Sequence, residues 1–395
     1  MSCCTGERGT NPSLLLSALG TGVGTLWNTA AWLRVKAHQA GLLPKQRLRA
    51  KVISVGNLAW GGTGKTPFTI WLAVRLQDAG LRVSILTRGY GRRSRERVQI
   101  IPPGTRAEDV PDAGDEVRLY LRHLRVPIGI AASRHLAGSQ VENRFPVDVH
   151  LLDDGFQHLS LHRNLDLVLV DALNPWSTLW LVPGVLREGR SALRRADAVL
   201  VTRSELLPPM TRDYAGGIRA TVKKHNSDAP CFMVRTMLLP FTNSEGCAVA
   251  PEEFRSRRPL AFCAVGNPRA FFRMLAMEGI PVAGQKAFPD HFRYSMSNLV
   301  SLEKAAAEAG ADCLLTTEKD LINLPANANF RLPLYWAAIQ LSVEEEPRLL
   351  QWIWDRLELP GAPPELRPEE ARNSQAQFAT EGRAGRRGFD KLTTG

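Results

Sequence analysis

One stretch constrains this chain more than any other: Val52-Ile-Ser-Val-Gly-Asn-Leu-Ala-Trp-Gly-Gly-Thr-Gly-Lys-Thr-Pro67. A buried-strand run feeds a glycine-rich loop, and an amphipathic helical run follows. Glycines let backbone N–H groups close around phosphate oxygens, and the next helix places its positive end there. The loop Ala59, Trp60, Gly61, Gly62, Thr63, Gly64, Lys65 and Thr66 is therefore expected to wrap a nucleoside triphosphate. Lys65 is expected at the β- and γ-phosphates and the Thr66 hydroxyl on Mg²⁺. Pro67 suits a first helical turn, where no N–H is needed. The strict GxxxxGK[ST] spacing is not met, because Ala59 stands where the first glycine belongs.

From residue 51 the chain alternates apolar strand runs with helical runs. Strands are expected at Lys51–Val55, Val83–Thr87, Val126–Ala131, Val147–Leu152, Leu165–Val170 and Ala198–Thr202. Helices are expected at Pro67–Ala79, Asp115–Leu124 and Arg134–Asn143. Continuous apolar strands between helices mark a doubly wound, mostly parallel α/β sheet. Residues 205–258 read as a connection with some strand content. A second, smaller α/β unit follows, with strands at Leu260–Val265, Cys313–Thr316 and Leu334–Ile339 and helices near Arg269–Met277, Asn298–Ala309 and Glu344–Leu357. The expected organisation is an N-terminal segment over 1–50, a phosphate-loop domain over 51–235, a second domain with its linker over 236–359 and a disordered tail over 360–395.

From Gly9 to Leu33 no residue is charged, yet glycines, asparagines and hydroxyls make the stretch too polar for a confident membrane span. Leu16, Leu19, Val23, Leu26, Ala30 and Leu33 keep helical spacing with Trp27 beside them, and Arg34, Lys36, Lys45, Arg47, Arg49 and Lys51 follow. Such a helix suits the interface of an anionic membrane or, equally, the protein's own core. The chain carries 50 Lys+Arg against 39 Asp+Glu, a formal charge of +11, which points to an anionic partner. The six cysteines form no CxxC pair, so they are expected to be reduced thiols of a cytoplasmic protein.

A magnesium-binding acid is expected at the end of a neighbouring strand. Val147-Asp-Val-His-Leu-Leu-Asp-Asp-Gly155 supplies Asp153 and Asp154 there. Thr87-Arg-Gly-Tyr-Gly-Arg92, Gly114-Asp-Glu116, Phe156-Gln-His158 and Phe288-Pro-Asp-His291 lie at other strand ends or loops. Taken singly, each is a weak signal. In this order they resemble the tetraacyldisaccharide 4′-kinase family of lipid A biosynthesis. So do Leu186-Arg-Glu188, Arg195-Ala-Asp197, Gly266-Asn-Pro268, Phe271-Phe272 and Thr317-Glu-Lys-Asp320.

The resemblance covers about residues 12–358. It departs from the family's pattern at Ala59-Trp60, in the stretch Leu181–Glu188, and in the C-terminal tail. It implies ATP and Mg²⁺ as cofactors and transfer of the γ-phosphoryl group to the 4′-hydroxyl of a tetraacylated glucosamine disaccharide 1-phosphate. It implies a peripheral or monotopic place on the cytoplasmic face of the bacterial inner membrane, with an anionic membrane surface as partner, no nucleic acid and no obligate protein partner. It also implies Asp115 as the base, acting with His291 from the second domain, and Tyr90, Arg92, Gln157, Arg187 and Glu188 near the site.

Three other readings stand beside it. One is a P-loop NTPase of the switch or metallochaperone type acting with a protein partner. A basic nucleic-acid module would draw on the arginines of 88–97, although no helix-turn-helix, zinc finger or RNP pattern is present. A metal hydrolase would use Asp153, Asp154, His158 and His162 and leave the glycine loop idle.

Overall fold

The computed structural model describes residues 33, 35–38, 40–94, 96–176, 187–207, 213–325, 327–361 and 363. The expected helix over 16–33 lies outside the described residues apart from Leu33, and so does the expected tail over 360–395 apart from residues 360, 361 and 363.

Nine strands form the first sheet: β1 (Lys51–Asn57), β2 (Val83–Thr87), β3 (Val98–Ile101), β4 (Ile128–Ala131), β5 (Val149–Asp153), β6 (Leu165–Asp171), β7 (Ala198–Thr202), β8 (Cys231–Leu238) and β15 (Ile339–Val343). Their order is β15-β8-β7-β6-β1-β5-β2-β4-β3. All pairs are parallel except the edge pairs β15–β8 and β3–β4. β6 is buried at all 7 of its residues, as a parallel strand covered on both faces should be. The sequence turns in opposite directions on either side of β1, and that switch point is where open α/β sheets bind ligands. Register sets Val55 of β1 opposite Asp153 of β5, so the loop after β1 and the acids after β5 emerge side by side.

α1 (Lys65–Asp78) starts directly after Gly64, whose φ of 91° is a left-handed conformation that glycine adopts without strain. It buries Phe68, Thr69, Ile70, Trp71, Leu72, Ala73, Val74 and Leu76, more than one face. The extra cover comes from the far end of the chain. α9 (Glu346–Leu357) brings Leu349, Leu350, Ile353, Trp354 and Leu357 into the same core, and Glu346 pairs with Arg75 of α1.

The second sheet has the order β10-β9-β14-β13-β11-β12. It comprises β9 (Phe241–Asn243), β10 (Ala248–Val249), β11 (Pro259–Cys263), β12 (Gly284–Ala287), β13 (Cys313–Thr317) and β14 (Leu334–Ala337). α6 (Pro268–Met277) and α7 (Met296–Glu308) pack on it.

Three expectations need correction. The apolar run expected as one strand at Leu334–Ile339 is two strands. β14 stays in the second sheet, whereas β15 crosses to cover the open edge of the first. Residues 339–359 therefore join the first unit rather than the second; an unbroken apolar run carries no mark where it changes sheets. The connection over 205–258 contains α4 (Asp213–His225), which Gly216 and Gly217 disguise because glycine is a poor helix former. β12 escaped notice because it is a largely exposed edge strand with no apolar run.

Candidate active site

Polar side chains converge on a cleft of about 880 Å³ between the two units, floored by the Gly61–Thr66 loop. That loop is pinned from three sides. The Asn57 amide donates to the Thr63 hydroxyl at 3.0 Å, the Thr202 hydroxyl donates to the Thr63 carbonyl at 3.0 Å, and Arg203 donates to the Gly62 carbonyl at 2.6 Å. Asp171 at the end of β6 accepts from both Arg203 and Asn267. Asn267 in turn caps α6, so the loop is tied to the second unit.

The contact is backbone on backbone: a Cβ on Gly266 would stand 2.3 Å from the Gly62 nitrogen and 2.9 Å from its Cα. Gly266→Ala must push the two units apart. Misplacement of about 1 Å in a positioned site costs roughly 10²-fold in rate. We expect a loss of that order in kcat/KM, with a melting temperature close to wild type. A variant of wild-type turnover would show that the contact does not align the site.

Asp153 and Asp154 sit beside Lys65. Lys65 Nζ lies 3.5 Å from Asp154 Oδ1, and Arg187 closes on the same carboxylate at 2.6 Å. The Arg187 guanidinium stacks over the Trp60 ring at 4.6 Å. Burial works to raise Asp154, but the charges of Lys65 and Arg187 hold it below the usual carboxylate range. Asp153 moves the other way: burial first, then the charge of Asp154, raise it. Its Oδ2 accepts from the Thr87 hydroxyl at 3.3 Å, and its buried Oδ1 has no hydrogen-bond partner among the described residues.

An orphaned carboxylate oxygen next to a second carboxylate, level with the start of α1, fits a hard divalent cation that takes its remaining oxygens from phosphates and water. Among the described residues no group of three or more His, Cys, Asp or Glu could itself hold a metal. His158 lines this cleft, while His162 lines a separate cavity, so the four residues of the metal-hydrolase reading do not converge on one cavity.

At the cleft mouth the units meet through charge. α2 (Asp115–His123) opens with Asp115, 7% exposed, whose Oδ2 accepts from His291 Nδ1 at 2.7 Å and lies 3.6 Å from Lys319 Nζ. Burial would raise Asp115; the His291 hydrogen bond and the Lys319 charge override it and bring the carboxyl down to about 2. Burial would lower His291, yet the hydrogen bond to Asp115 holds it above the usual histidine range. The Tyr90 ring packs against His291 at 4.8 Å. Lys319 also binds Asp290 at 2.8 Å.

Three of the four left-handed non-glycine residues among those described, Asp154, Arg203 and His291, line this cleft. Such backbone costs of order 1–3 kcal/mol at each residue and survives where the surroundings over-determine it.

The remaining expected residues divide. Gln157 lines the cleft and donates to the Asn57 carbonyl at 2.9 Å. Glu188 lines it too, but its carboxylate is held by Arg195 at 2.7 and 3.0 Å. Arg92 is spent on the carbonyls of Ile130 and Glu96 and does not line the cleft. Ala59 is buried at 5% exposure beneath the loop.

Four further residues line the cleft: Glu116 and Lys319, which stood inside quoted motifs without a role, and Arg134 and Arg203, which sequence reasoning passed over. Arg134 carried a signal. It is a cation in the first turn of α3 (Arg134–Arg144), where the helix field disfavours positive charge, and it is 6% exposed.

Glu116 is pushed up to about 7 by burial and then by the charge of Asp153, from 4.5. Its folded form holds a proton that the unfolded form releases earlier. The stability it supports is complete below about pH 4.5 and is lost as pH rises through 7, a span worth about 3 kcal/mol. Without nucleotide or Mg²⁺, the melting temperature of the wild type should fall between pH 5 and 8 more steeply than that of Glu116→Gln. Parallel curves would refute the assignment.

A family model described as tetraacyldisaccharide-1-P 4′-kinase matches residues 16–358. A tetraacyldisaccharide 4′-kinase of Anaeromyxobacter sp. (strain K) is 39% identical over 312 residues, spanning 76% of this chain and 79% of its own. That of Syntrophus aciditrophicus (strain SB) is 34% identical over 327 residues, 80% of this chain and 86% of its own. A crystal structure of LpxK from Aquifex aeolicus in complex with ATP is similar, with a TM-score of 0.63 and 28% identity over 87% of this chain and 99% of that one. The chain belongs to the tetraacyldisaccharide 4′-kinase family.

Proposed function

We propose that this chain is a kinase that transfers the γ-phosphoryl group of ATP to the 4′-hydroxyl of a tetraacyl disaccharide 1-phosphate. One observation carries the residue roles: a buried acid of the first unit meets, at 2.7 Å, a histidine of the second that lines the cleft whose floor is the phosphate loop.

The backbone of Gly61–Gly64 and the Lys65 ammonium hold the triphosphate. Lys65 is already held beside Asp154, so its charge needs little rearrangement to meet phosphate oxygens. Thr66, Asp153 and Asp154 are the residues that would hold Mg²⁺; bound there, the ion neutralises charge on the phosphates. Arg134 and Arg187 add positive charge around the same space. Transfer through a loose transition state needs alignment and charge neutralisation more than an early, strong base. The acceptor hydroxyl becomes strongly acidic only as its bond to phosphorus forms. A carboxylate as weak as Asp115 can take that proton, while His291 and Lys319 keep it ionised and aimed. Asp115 lies on the first unit and His291 and Lys319 on the second, so the base is complete only when the units are together.

Among the described residues no helix is long and apolar enough to cross a membrane. Exposed Leu33, Leu42, Leu43 and Trp60, the basic run that follows Leu33, and the +11 charge support a peripheral or monotopic place on an anionic membrane surface, where an acylated anionic acceptor resides. On this reading the surface is the cytoplasmic face of the inner membrane, and neither nucleic acid nor an obligate protein partner is required.

The deciding experiment gives purified protein radiolabelled ATP and a tetraacyl disaccharide 1-phosphate in detergent micelles. Label should move to the lipid, and without the lipid ATP should be consumed slowly. Brisk hydrolysis that depends on an added protein and ignores the lipid would favour the switch-type NTPase instead.

A further inference from the structure

The second unit reaches the first through three arms that leave the C-terminal ends of its adjacent parallel strands β13, β11 and β12. After β11, Gly266 packs its backbone on Gly62 of the phosphate loop. After β12, His291 meets Asp115. After β13, α8 (Glu318–Asn323) lies along α2. Glu318 binds Arg122 at 3.0 Å and His123 at 2.8 Å, Lys319 stands 3.6 Å from Asp115, and Arg118 donates to the Ile322 carbonyl at 2.8 Å. The three arms are far apart in the chain, so their relative placement has to come from tertiary contacts.

One buried side chain joins them. Asp320, on α8, is 0% exposed. Its Oδ1 accepts from the Ala264 N–H at 2.7 Å, ahead of Gly266, and from the Tyr294 hydroxyl at 2.9 Å, beyond His291. Its Oδ2 accepts from the Thr317 hydroxyl at 2.6 Å, at the start of α8. Helix capping alone does not account for this placement. Thr317 caps α8, and an acid at the position of Asp320 in a capping box reaches back to the capping residue's backbone N–H without being buried. Asp320 is instead taken out of water, which is costly unless the carboxylate is hydrogen-bonded, and its Oδ1 serves the other two arms.

The His291 arm needs such a hold. His291 has a left-handed φ of 60°, a conformation that survives where its surroundings over-determine it. On one side the Phe288 N–H donates to the Cys263 carbonyl at 2.8 Å. On the other, Tyr294 packs edge-on against Phe262, Phe288 and Phe292, and its hydroxyl ends on Asp320.

We infer that Asp320 is a positioning residue for phosphoryl transfer: through Tyr294 and the Ala264 N–H it sets His291 on Asp115 and Gly266 on the phosphate loop as one body. The inference rests on the kinase reading for the reaction that this alignment serves.

The kinetic test separates the arms. Tyr294→Phe removes one hydroxyl, keeps the ring and leaves the Ala264 bond in place. A displacement of about 1 Å costs roughly 10²-fold, and a loosened arm less, so kcat should fall about tenfold with the KM for ATP unchanged. Asp320→Ala frees both arms and should lower kcat further while raising the KM for ATP. Asp320→Asn, which keeps an acceptor oxygen for Ala264 and Tyr294, should recover most of both. Because the hydroxyl acts through Asp115, Tyr294→Phe should cost nothing more in an Asp115→Ala background. Wild-type kcat in Tyr294→Phe, or a full further loss in that background, overturns the inference.

The alignment is also read without turnover, from the His291 ring resonance of the full chain, assigned by its loss in His291→Gln. Asp115, Asp290, Lys319 and Tyr90 face this ring. Seated on Asp115, His291 titrates above the usual histidine range; once that hydrogen bond loosens, burial and the Lys319 charge pull it down. The midpoint should therefore fall in Tyr294→Phe and return toward wild type in Asp320→Asn relative to Asp320→Ala. A midpoint that stays put in Tyr294→Phe, whatever the melting temperature does, reduces the network to a stabilising one and overturns the inference. A fallen midpoint in a chain that phosphorylates no lipid keeps the alignment and loses the kinase reading.

Discussion

Replacing Lys65 by alanine is expected to lower kcat/KM by about 10³-fold or more, with the fold intact. Loss of a single preorganised charge donor costs about 10²–10³ in kcat, and cationic clamps on a transferring phosphoryl group reach 10³–10⁵. Lys65 sits at the upper end of that scale for a reason specific to this site. Its ammonium is mostly buried and is one of the charges that keep Asp154 ionised. Without it, Asp153 and Asp154 face each other less compensated and the triphosphate meets net negative charge. ATP binding should therefore weaken along with turnover. Lys65→Arg should recover part of the binding and little of the rate, because a planar fork does not reproduce a compact ammonium. Label transfer to lipid and nucleotide affinity, measured on the same preparations, check both. Turnover within threefold of wild type in Lys65→Ala would remove the nucleotide from this loop.

How much of this was legible beforehand follows from sequence distance. The loop and its strand and helix are local, so glycine spacing, the Lys65-Thr66 pair and the apolar run before them were enough to locate them. The acids at Asp153 and Asp154 were legible for the same reason: an apolar strand ending in carboxylates is a local pattern. Tertiary pairings were not. Asp115 and His291 are 176 residues apart, and no periodicity joins them; only the resemblance paired them. Lys319 lay inside a noticed segment, Thr317–Asp320, but its ammonium gains meaning only beside Asp115 and Asp290. The same limit hid the course of the chain's end. The apolar run Leu334–Ile339 crosses from one sheet to the other, β14 ending at Ala337 and β15 starting at Ile339, and nothing within the run marks where it divides. Arg92 shows another limit: a motif does not tell whether its cation is held by carbonyls that shape the loop, as Arg92 is by those of Ile130 and Glu96.

The second large effect concerns Asp115. Asp115→Ala should lower kcat by 10²–10⁴, the usual range for a positioned proton acceptor, while ATP affinity stays within a fewfold of wild type. The split is the informative part, because Asp115 does two things at once. On the proposed reading it takes the acceptor's proton, and it is the carboxylate to which His291 and Lys319 attach the second unit. If the proton role dominates, Asp115→Asn, which keeps the shape and one hydrogen bond but cannot take a proton, should be nearly as slow as Asp115→Ala. If attachment dominates, Asp115→Asn should recover most of the rate. His291→Ala removes the aiming partner and leaves the carboxylate, so it should be slower than wild type but faster than Asp115→Ala. Groups that act as a unit lose additivity, so the double variant Asp115→Ala/His291→Ala should be no slower than Asp115→Ala alone. Multiplying losses would mean the two side chains act separately, and a collapse of ATP binding in Asp115→Ala would move that residue to the nucleotide site. The second result would leave proton removal to another group, and Glu116, one residue along α2 and already pushed up to about 7, is the group to replace next.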